Sequence, residues 1–269
     1  MPSILITGVS SGLGRALALR AHAAGWRVVG TIRDNTTAEE NGLPPDMTVY
    51  RLEPRFPHAV RAFTERYLAD HGAPDVLVNN ASTVVYAPLE EVPAEALRDL
   101  FQVNALSAIE LTVALLPSMR ERGSGTIVNV SSVGGRIVLP FFAASNATRH
   151  ALEAFSEGLW HELKPFGIRV KVIEPGYIDT AADEAAAVPA ERSGPYAPYL
   201  SAMNAFLDGI KKRTSPEDAA DEVWRAIMDP SSRLRYPVAA HARGLLRARA
   251  LFGGAFLRFM HGRWMRSSE

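Results

Sequence analysis

After a short apolar run, the chain reads Thr7-Gly8-Val9-Ser10-Ser11-Gly12-Leu13-Gly14 and continues into Arg15-Ala16-Leu17-Ala18. Glycine at 8, 12 and 14 permits a tight turn, close approach of the backbone to phosphate oxygens and tight packing of a helix on a strand. The start of that helix carries partial positive charge, which favours a pyrophosphate. Glycines also serve ordinary turns, but a strand before and a helix after make this triplet read as a dinucleotide-binding loop. At the end of the second strand, an acidic residue would bind both ribose hydroxyls of NAD and repel a 2′-phosphate. The chain has Ile32 followed by Arg33 there. The planar fork of arginine suits a phosphate, so the sequence predicts NADP(H); the alternative is a surface arginine paired with Asp34.

Other chemistries find little support. There is no cysteine, which excludes disulfides, thiolate metal sites and a cysteine nucleophile. The histidines at 22, 58, 71, 150, 161, 241 and 261 form no HExxH pair and no histidine-carboxylate cluster, so no metal is expected. Ser131-Ser132 lacks the GxSxG elbow of a hydrolase. Lys plus Arg and Asp plus Glu each total 29, leaving no net field to attract nucleic acid.

The elements that must hold the loop follow from hydrophobic patterning. Strands are predicted at 4–7, 27–32, 48–52, 75–79, 126–131, 168–174 and 235–238, mostly apolar on both faces. Helices are predicted at 13–24, 57–70, 94–120, 143–164 and 216–228, the last with a capping Ser215, Pro216 and two acids in its first turn. This alternation predicts an α/β fold: a Rossmann-type doubly wound parallel sheet flanked by helices, in a single domain over 1–269. Residues 181–213, with Pro189, Gly194, Pro195 and Pro198, break the rhythm and read as a substrate lid within it. Residues 241–269 form a C-terminal helical extension mixing arginines with Leu, Phe, Met and Trp. That tail reads as a helix covering the domain or a subunit contact, in preference to membrane contact.

The TGxxxGxG spacing, followed by Asn79-Asn80-Ala81 after the fourth strand, resembles the short-chain dehydrogenase/reductase family. Resemblance continues in Phe101-Gln102-Val103-Asn104, in the Ser132-bearing strand 127–132 and in the PGxxxT turn from Pro175 to Thr180. Residues 216–220 and 234–238 resemble the end of members acting on steroid-like or retinoid-like alcohols. The resemblance implies that Gly8, Ser10, Ser11, Gly12, Leu13, Gly14, Asn80, Ala81, Pro175, Gly176, Ile178 and Thr180 surround the cofactor. Ser82 departs from the NNAG pattern, and Glu53-Pro54 stands where an aspartate commonly meets the adenine.

The family's YxxxK is where the match fails. Counting thirteen residues from Ser132 reaches Ser145, and four more reach Arg149, so the signature reads SxxxR. A tyrosine phenol beside a lysine can be lowered toward working pH and exchange a proton with the substrate oxygen. A serine hydroxyl cannot match that, and Arg149 offers charge and a hydrogen bond to the nicotinamide ribose without a titratable neutral state. By resemblance, Ser132 orients the substrate oxygen and Asn104 a water. Catalytic candidates are thus Ser132, Asn104, Ser145 and Arg149, with Tyr86, Tyr177, Tyr196 and Tyr199 as substitute proton donors or pocket walls. His150 is turned ~100° from the Ser145–Arg149 face of its helix.

Three readings stand in order: an NADP-dependent oxidoreductase with another proton relay, a non-redox enzyme performing cyclisation, dehydration or isomerisation, and a noncatalytic cofactor-binding protein. The expected partner is a small-molecule substrate of moderately apolar character; the resemblance implies a homo-oligomer contact through helices 94–120 and 143–164, the alternative being that these helices simply cover the sheet. The start of the chain lacks the basic and apolar regions of a signal peptide, and charged residues or glycine interrupt every apolar run, so a cytoplasmic location is expected. Arg33→Ala should weaken NADPH binding by about 10-fold or more, the value of a charge-assisted bond, with NADH binding little changed. Fluorescence titration of the two dinucleotides checks this, and equal losses for both would contradict the assignment.

Overall fold

The computed structural model of this chain describes every residue except 35, 181–193, 209–212 and 267–269. Seven strands form one sheet: β1 (Ser3–Thr7), β2 (Arg27–Ile32), β3 (Thr48–Arg51), β4 (Val76–Asn79), β5 (Gly125–Val130), β6 (Ile168–Pro175) and β7 (Arg235–Val238). Their order is β3-β2-β1-β4-β5-β6-β7, with every neighbouring pair parallel. This is the expected doubly wound sheet.

Parallel neighbours need crossover helices, which cover both faces of the sheet. Ile4 and Ile6 of β1 face a cluster with Leu13 and Leu17 of α1 (Gly12–Ala23) and Val223 and Ile227 of α7 (Pro216–Met228). Leu5, between them, points to the opposite cluster, with Phe63 of α2 (Pro57–His71), Leu111 and Leu115 of α4 (Ser107–Arg122) and Leu159 of α5 (Ala143–Leu163). The two-residue period of a strand thus feeds two cores. Ser215 caps α7 as its sequence implies, its hydroxyl accepting the Asp218 N–H. Lys171 of β6 is fully buried and donates to the Ala226 and Asp229 carbonyls, fastening the sheet to the end of α7.

The helix expected over 94–120 is interrupted. α3 (Ala94–Phe101) passes through a π-turn, Gln102–Leu106, before α4 begins. Contrary to the sequence expectation, Ala94–Arg122 is long and apolar enough to cross a membrane, but half of its most apolar window is buried inside the fold. Its Leu111, Leu115 and Met119 belong to the core, which accounts for the hydropathy without a bilayer.

Within the proposed lid, 181–193 and 209–212 lie outside the described residues, and the remainder contains α6 (Ala197–Asp208). The C-terminal extension is α8 (Ala240–Arg266), bent at Gly253, with 267–269 outside the described residues. Strand order reverses between β1 and β4, which opens a crevice at their carboxyl ends, the usual ligand position in such sheets.

Candidate active site

At that crevice β1 ends in Thr7 and β4 in Asn79. Thr7 Oγ1 accepts the N–H groups of Asn80 and Ala81, both at 2.9 Å. Asn80 Nδ2 returns donors to the carbonyls of Thr7 at 2.9 Å and Gly8 at 3.1 Å. Gly8, at φ +74°, turns the chain so that its N–H and that of Val9 reach the Thr31 carbonyl of β2. A Cβ on Gly14 would lie 2.0 Å from the Gly8 oxygen and 2.4 Å from Asn80 Nδ2. The first turn of α1 therefore reaches the strand ends only because residue 14 has no side chain.

The turn after β6 closes on the same loop, since a Cβ on Gly12 would meet Thr180 Cγ2 at 3.0 Å. Ser11 occupies the N-cap of α1 without capping it through its side chain, and the first turn holds no acid. The positive end of that helix thus remains open to an anion. The structure brings together Gly8, Gly12, Gly14, Asn80, Ala81 and Thr180. Ser10 and Ser11 are exposed at the loop, whereas the Leu13 side chain is buried in the core. Pro175 ends β6 opposite Val238, and Ile178 bridges to Thr214. Arg33 lies exposed at the end of β2 with Nε 3.6 Å from Asp34, so the pairing weighed as its alternative role does form.

The other end of the crevice holds the remaining candidates. Asn104, at the π-turn, accepts the Thr83 N–H at 2.8 Å and donates to the Thr83 carbonyl and Thr148 Oγ1. Ser145 is buried, and its oxygen accepts the Val85 N–H at 2.8 Å while its hydrogen goes to the Val85 carbonyl at 2.9 Å. The hydroxyl proton of Ser145 is therefore committed to backbone. Ser132 differs: its oxygen accepts the Gly134 N–H at 3.0 Å, which leaves its own hydrogen for another acceptor. Arg149 donates to the Val130 carbonyl at 3.0 Å and has no carboxylate within ion-pair distance among the described residues. Burial pushes its pKa down to about 10, so it stays cationic at neutral pH.

Asn146 escaped the sequence reading. The residue is 7% exposed, and its amide is not among the fully buried polar atoms left without a partner. A Cβ on Gly134 would lie 2.4 Å from Asn146 Oδ1 and 3.4 Å from Ser132 Oγ, so the amide and the hydroxyl converge on one spot. The only signal in the sequence is an amide in a buried stretch of helix, where a polar group needs a partner.

Tyr86 and Tyr196 are both shifted away from the lowered pKa that proton exchange near neutrality needs. Tyr86 donates to Asn204 of α6, and burial pushes it up to about 12. Tyr196 is also raised, by its bond to Glu90. Tyr199 is largely exposed, and the Tyr177 ring stacks on His241 at 5.8 Å. His150 is exposed and bonds back to the Asn146 carbonyl of its own helix. Tyr86 stacks on Phe142, while Phe141 meets both Tyr86 and Tyr196 edge-on, making an aromatic wall. Phe141 holds φ +64°, a conformation costly for a bulky residue, and its carbonyl accepts the Ala87 N–H.

His241 of α8 was also missed, because no local pattern marks it. Its Nε2 accepts the Tyr177 N–H at 2.7 Å, so the ring is neutral there, and burial lowers its pKa. A Cβ on Gly176 would lie 2.1 Å from that nitrogen, so the glycine makes room for the histidine. Among the described residues, no group of three His, Cys, Asp or Glu could hold a metal.

A family model described as short chain dehydrogenase matches residues 2–189. The uncharacterized oxidoreductase YusZ of Bacillus subtilis is 30% identical over 261 residues, covering 92% of this chain and 92% of its own. A short-chain dehydrogenase structure from Streptomyces avermitilis matches with a TM-score of 0.82 at 33% identity, over 99% of this chain and 97% of that one. A metagenomic short-chain oxidoreductase solved in complex with NADP has a TM-score of 0.68 at 25% identity, over 88% of this chain and 95% of that one.

Ser145→Ala should lower the unfolding free energy by about 1–3 kcal/mol, because it strands the buried N–H and carbonyl of Val85. A urea titration checks this. Unchanged stability combined with lost turnover would instead make Ser145 a chemical group.

Proposed function

Because this chain belongs to the short-chain dehydrogenase family, we propose that it is an NADP(H)-dependent oxidoreductase in which an arginine-centred polar cluster replaces the family's tyrosine and lysine. It moves hydride to or from the carbonyl or alcohol carbon of a moderately apolar small molecule. The cradle of Gly8, Gly12, Gly14, Asn80, Ala81 and Thr180 fits a dinucleotide, since added Cβ atoms would crowd it. Arg33 is placed to meet a 2′-phosphate by releasing Asp34, and the NADP-bound metagenomic neighbour supports that choice. When bound, the nicotinamide supplies or accepts the hydride.

Ser145 and Arg149 take the two places of YxxxK, but with divided roles. Ser145 positions the Val85 segment and gives no proton, its hydrogen being held by the Val85 carbonyl. Arg149 stabilises negative charge developing on the substrate oxygen, because a desolvated cation without a carboxylate partner interacts strongly with such charge. Ser132 donates its free hydrogen to the same oxygen, and Asn146 supplies an amide beside it. Arg149 cannot cycle through a neutral form, so water delivers the proton to the alkoxide in reduction and removes it in oxidation. The aromatic wall of Tyr86, Phe141, Phe142 and Tyr196 faces the substrate with apolar surface.

The observation that carries this reading is the half-buried, cationic Arg149, with no carboxylate within ion-pair distance among the described residues. The raised phenols of Tyr86 and Tyr196 favour a second reading, non-redox chemistry in the same pocket. NADPH oxidation, followed by absorbance against a panel of alicyclic and aromatic ketones including an activated 1,2-diketone, separates the two. Wild type should couple product formation to NADPH loss, and Arg149→Met should lower kcat/KM by about 100-fold or more, as deletion of one oxyanion donor does. Asn146→Ala should cost about 10-fold. Product formed without NADPH loss would select the non-redox reading, and full activity in Arg149→Met would remove the arginine from the chemistry.

A further inference from the structure

α8 has two unlike sides. Ala242 and Leu246 are buried, and beyond the bend Phe256 packs with Leu246 and Ile137. Gly253, at φ +48° and ψ −120°, lets the helix bend between them. Either side of that bend, Leu251, Phe252, Leu257 and Phe259 remain 79%, 62%, 45% and 61% exposed. Such a density of bulky apolar side chains in nine residues goes beyond the scattered exposure of an ordinary surface. The sequence reading of a covering helix therefore describes one side of α8 and leaves the other unexplained.

Charge points to the occupant. The chain as a whole is balanced, yet 240–266 contains six arginines and no Asp or Glu. Arg243 is paired with Glu222, while Arg247 and Arg258 stand exposed near the apolar residues. A symmetric contact between two copies through this helix would set arginine against arginine, which is repulsive. An anionic lipid surface offers both an apolar layer for the phenylalanines and negative headgroups for the arginines. We propose that α8 seats this protein on anionic membrane surfaces, lying in the interface plane with Leu251 and Phe252 inserted and, beyond the bend, Leu257 and Phe259 dipping in on either side of Arg258.

This placement does not depend on the reaction assigned above. It also has a consequence for the cleft, because α8 begins at the His241 that holds the Tyr177 N–H. The same helix thus joins the membrane surface to the turn that closes over the glycine loop.

The test is flotation of the full chain with vesicles of phosphatidylcholine alone and of phosphatidylcholine mixed with phosphatidylglycerol. Wild type should float with the mixed vesicles, bind neutral ones at least about 10-fold more weakly, and be released by salt. Phe252→Ser/Phe259→Ser should abolish flotation, and Arg247→Gln/Arg258→Gln should weaken it by about 30-fold. All of these side chains are exposed, so unchanged thermal unfolding should show that the variants fold. Equal binding to both vesicle types, or none to either, would overturn the proposal. So would light scattering that finds a wild-type dimer which the phenylalanine changes convert to monomer, since the face would then be a subunit contact.

Discussion

The structure turns on how closely three backbones approach at the carboxyl end of β1. Gly14 sits where any Cβ would lie 2.0 Å from the Gly8 carbonyl oxygen. That contact sets the distance between α1 and the sheet, and so the place of the helix's positive end. Thr7 and Asn80 then fasten β4 to β1 with four hydrogen bonds to backbone groups. Gly12, against Thr180, lets the turn after β6 reach the same point. A dinucleotide site is thus a consequence of backbone contact that side chains would prevent, with Arg33 exposed near its edge.

The reacting end is organised by charge and commitment of protons. A phenol–lysine pair supplies a movable proton; in the proposed site Ser145 and Arg149 do not. Ser145 is bound to both polar groups of Val85, and Asn104 is held by Thr83 and Thr148. What remains uncommitted is the Arg149 charge, the Ser132 hydrogen and the Asn146 amide. On the proposed reading, such a set stabilises an oxyanion and leaves the proton to water. The strained Phe141 and the rings of Tyr86, Phe142 and Tyr196 form an aromatic group.

Much of this was legible in the sequence, for identifiable reasons. Strands buried on both faces are continuous apolar runs, and their boundaries fell within a residue of those observed, 235–238 and Arg235–Val238 being the same. The glycine loop was legible because its spacing serves backbone geometry alone. The π-turn at Asn104 was hidden, because one widened turn barely disturbs helical periodicity. The bilayer-compatible window of Ala94–Arg122 was missed because a few charges in the sequence masked a long apolar face. The tie between Ser145 and Val85 spans 60 residues, and that between His241 and Tyr177 spans 64, so no local pattern could announce either. Asn146 was passed over because an amide beside a serine has no motif. Its meaning appears only when Gly134 brings Ser132 alongside it.

The central claim is that this scaffold transfers hydride without a phenol. NADPH deuterated at the transferring position, incubated with the enzyme and a reducible ketone, tests it most directly by mass spectrometry of the alcohol. The account predicts deuterium bonded to the former carbonyl carbon in the wild-type product, at a rate that collapses in Arg149→Met. A turned-over ketone whose product carries no deuterium, with the cofactor recovered intact, would contradict it.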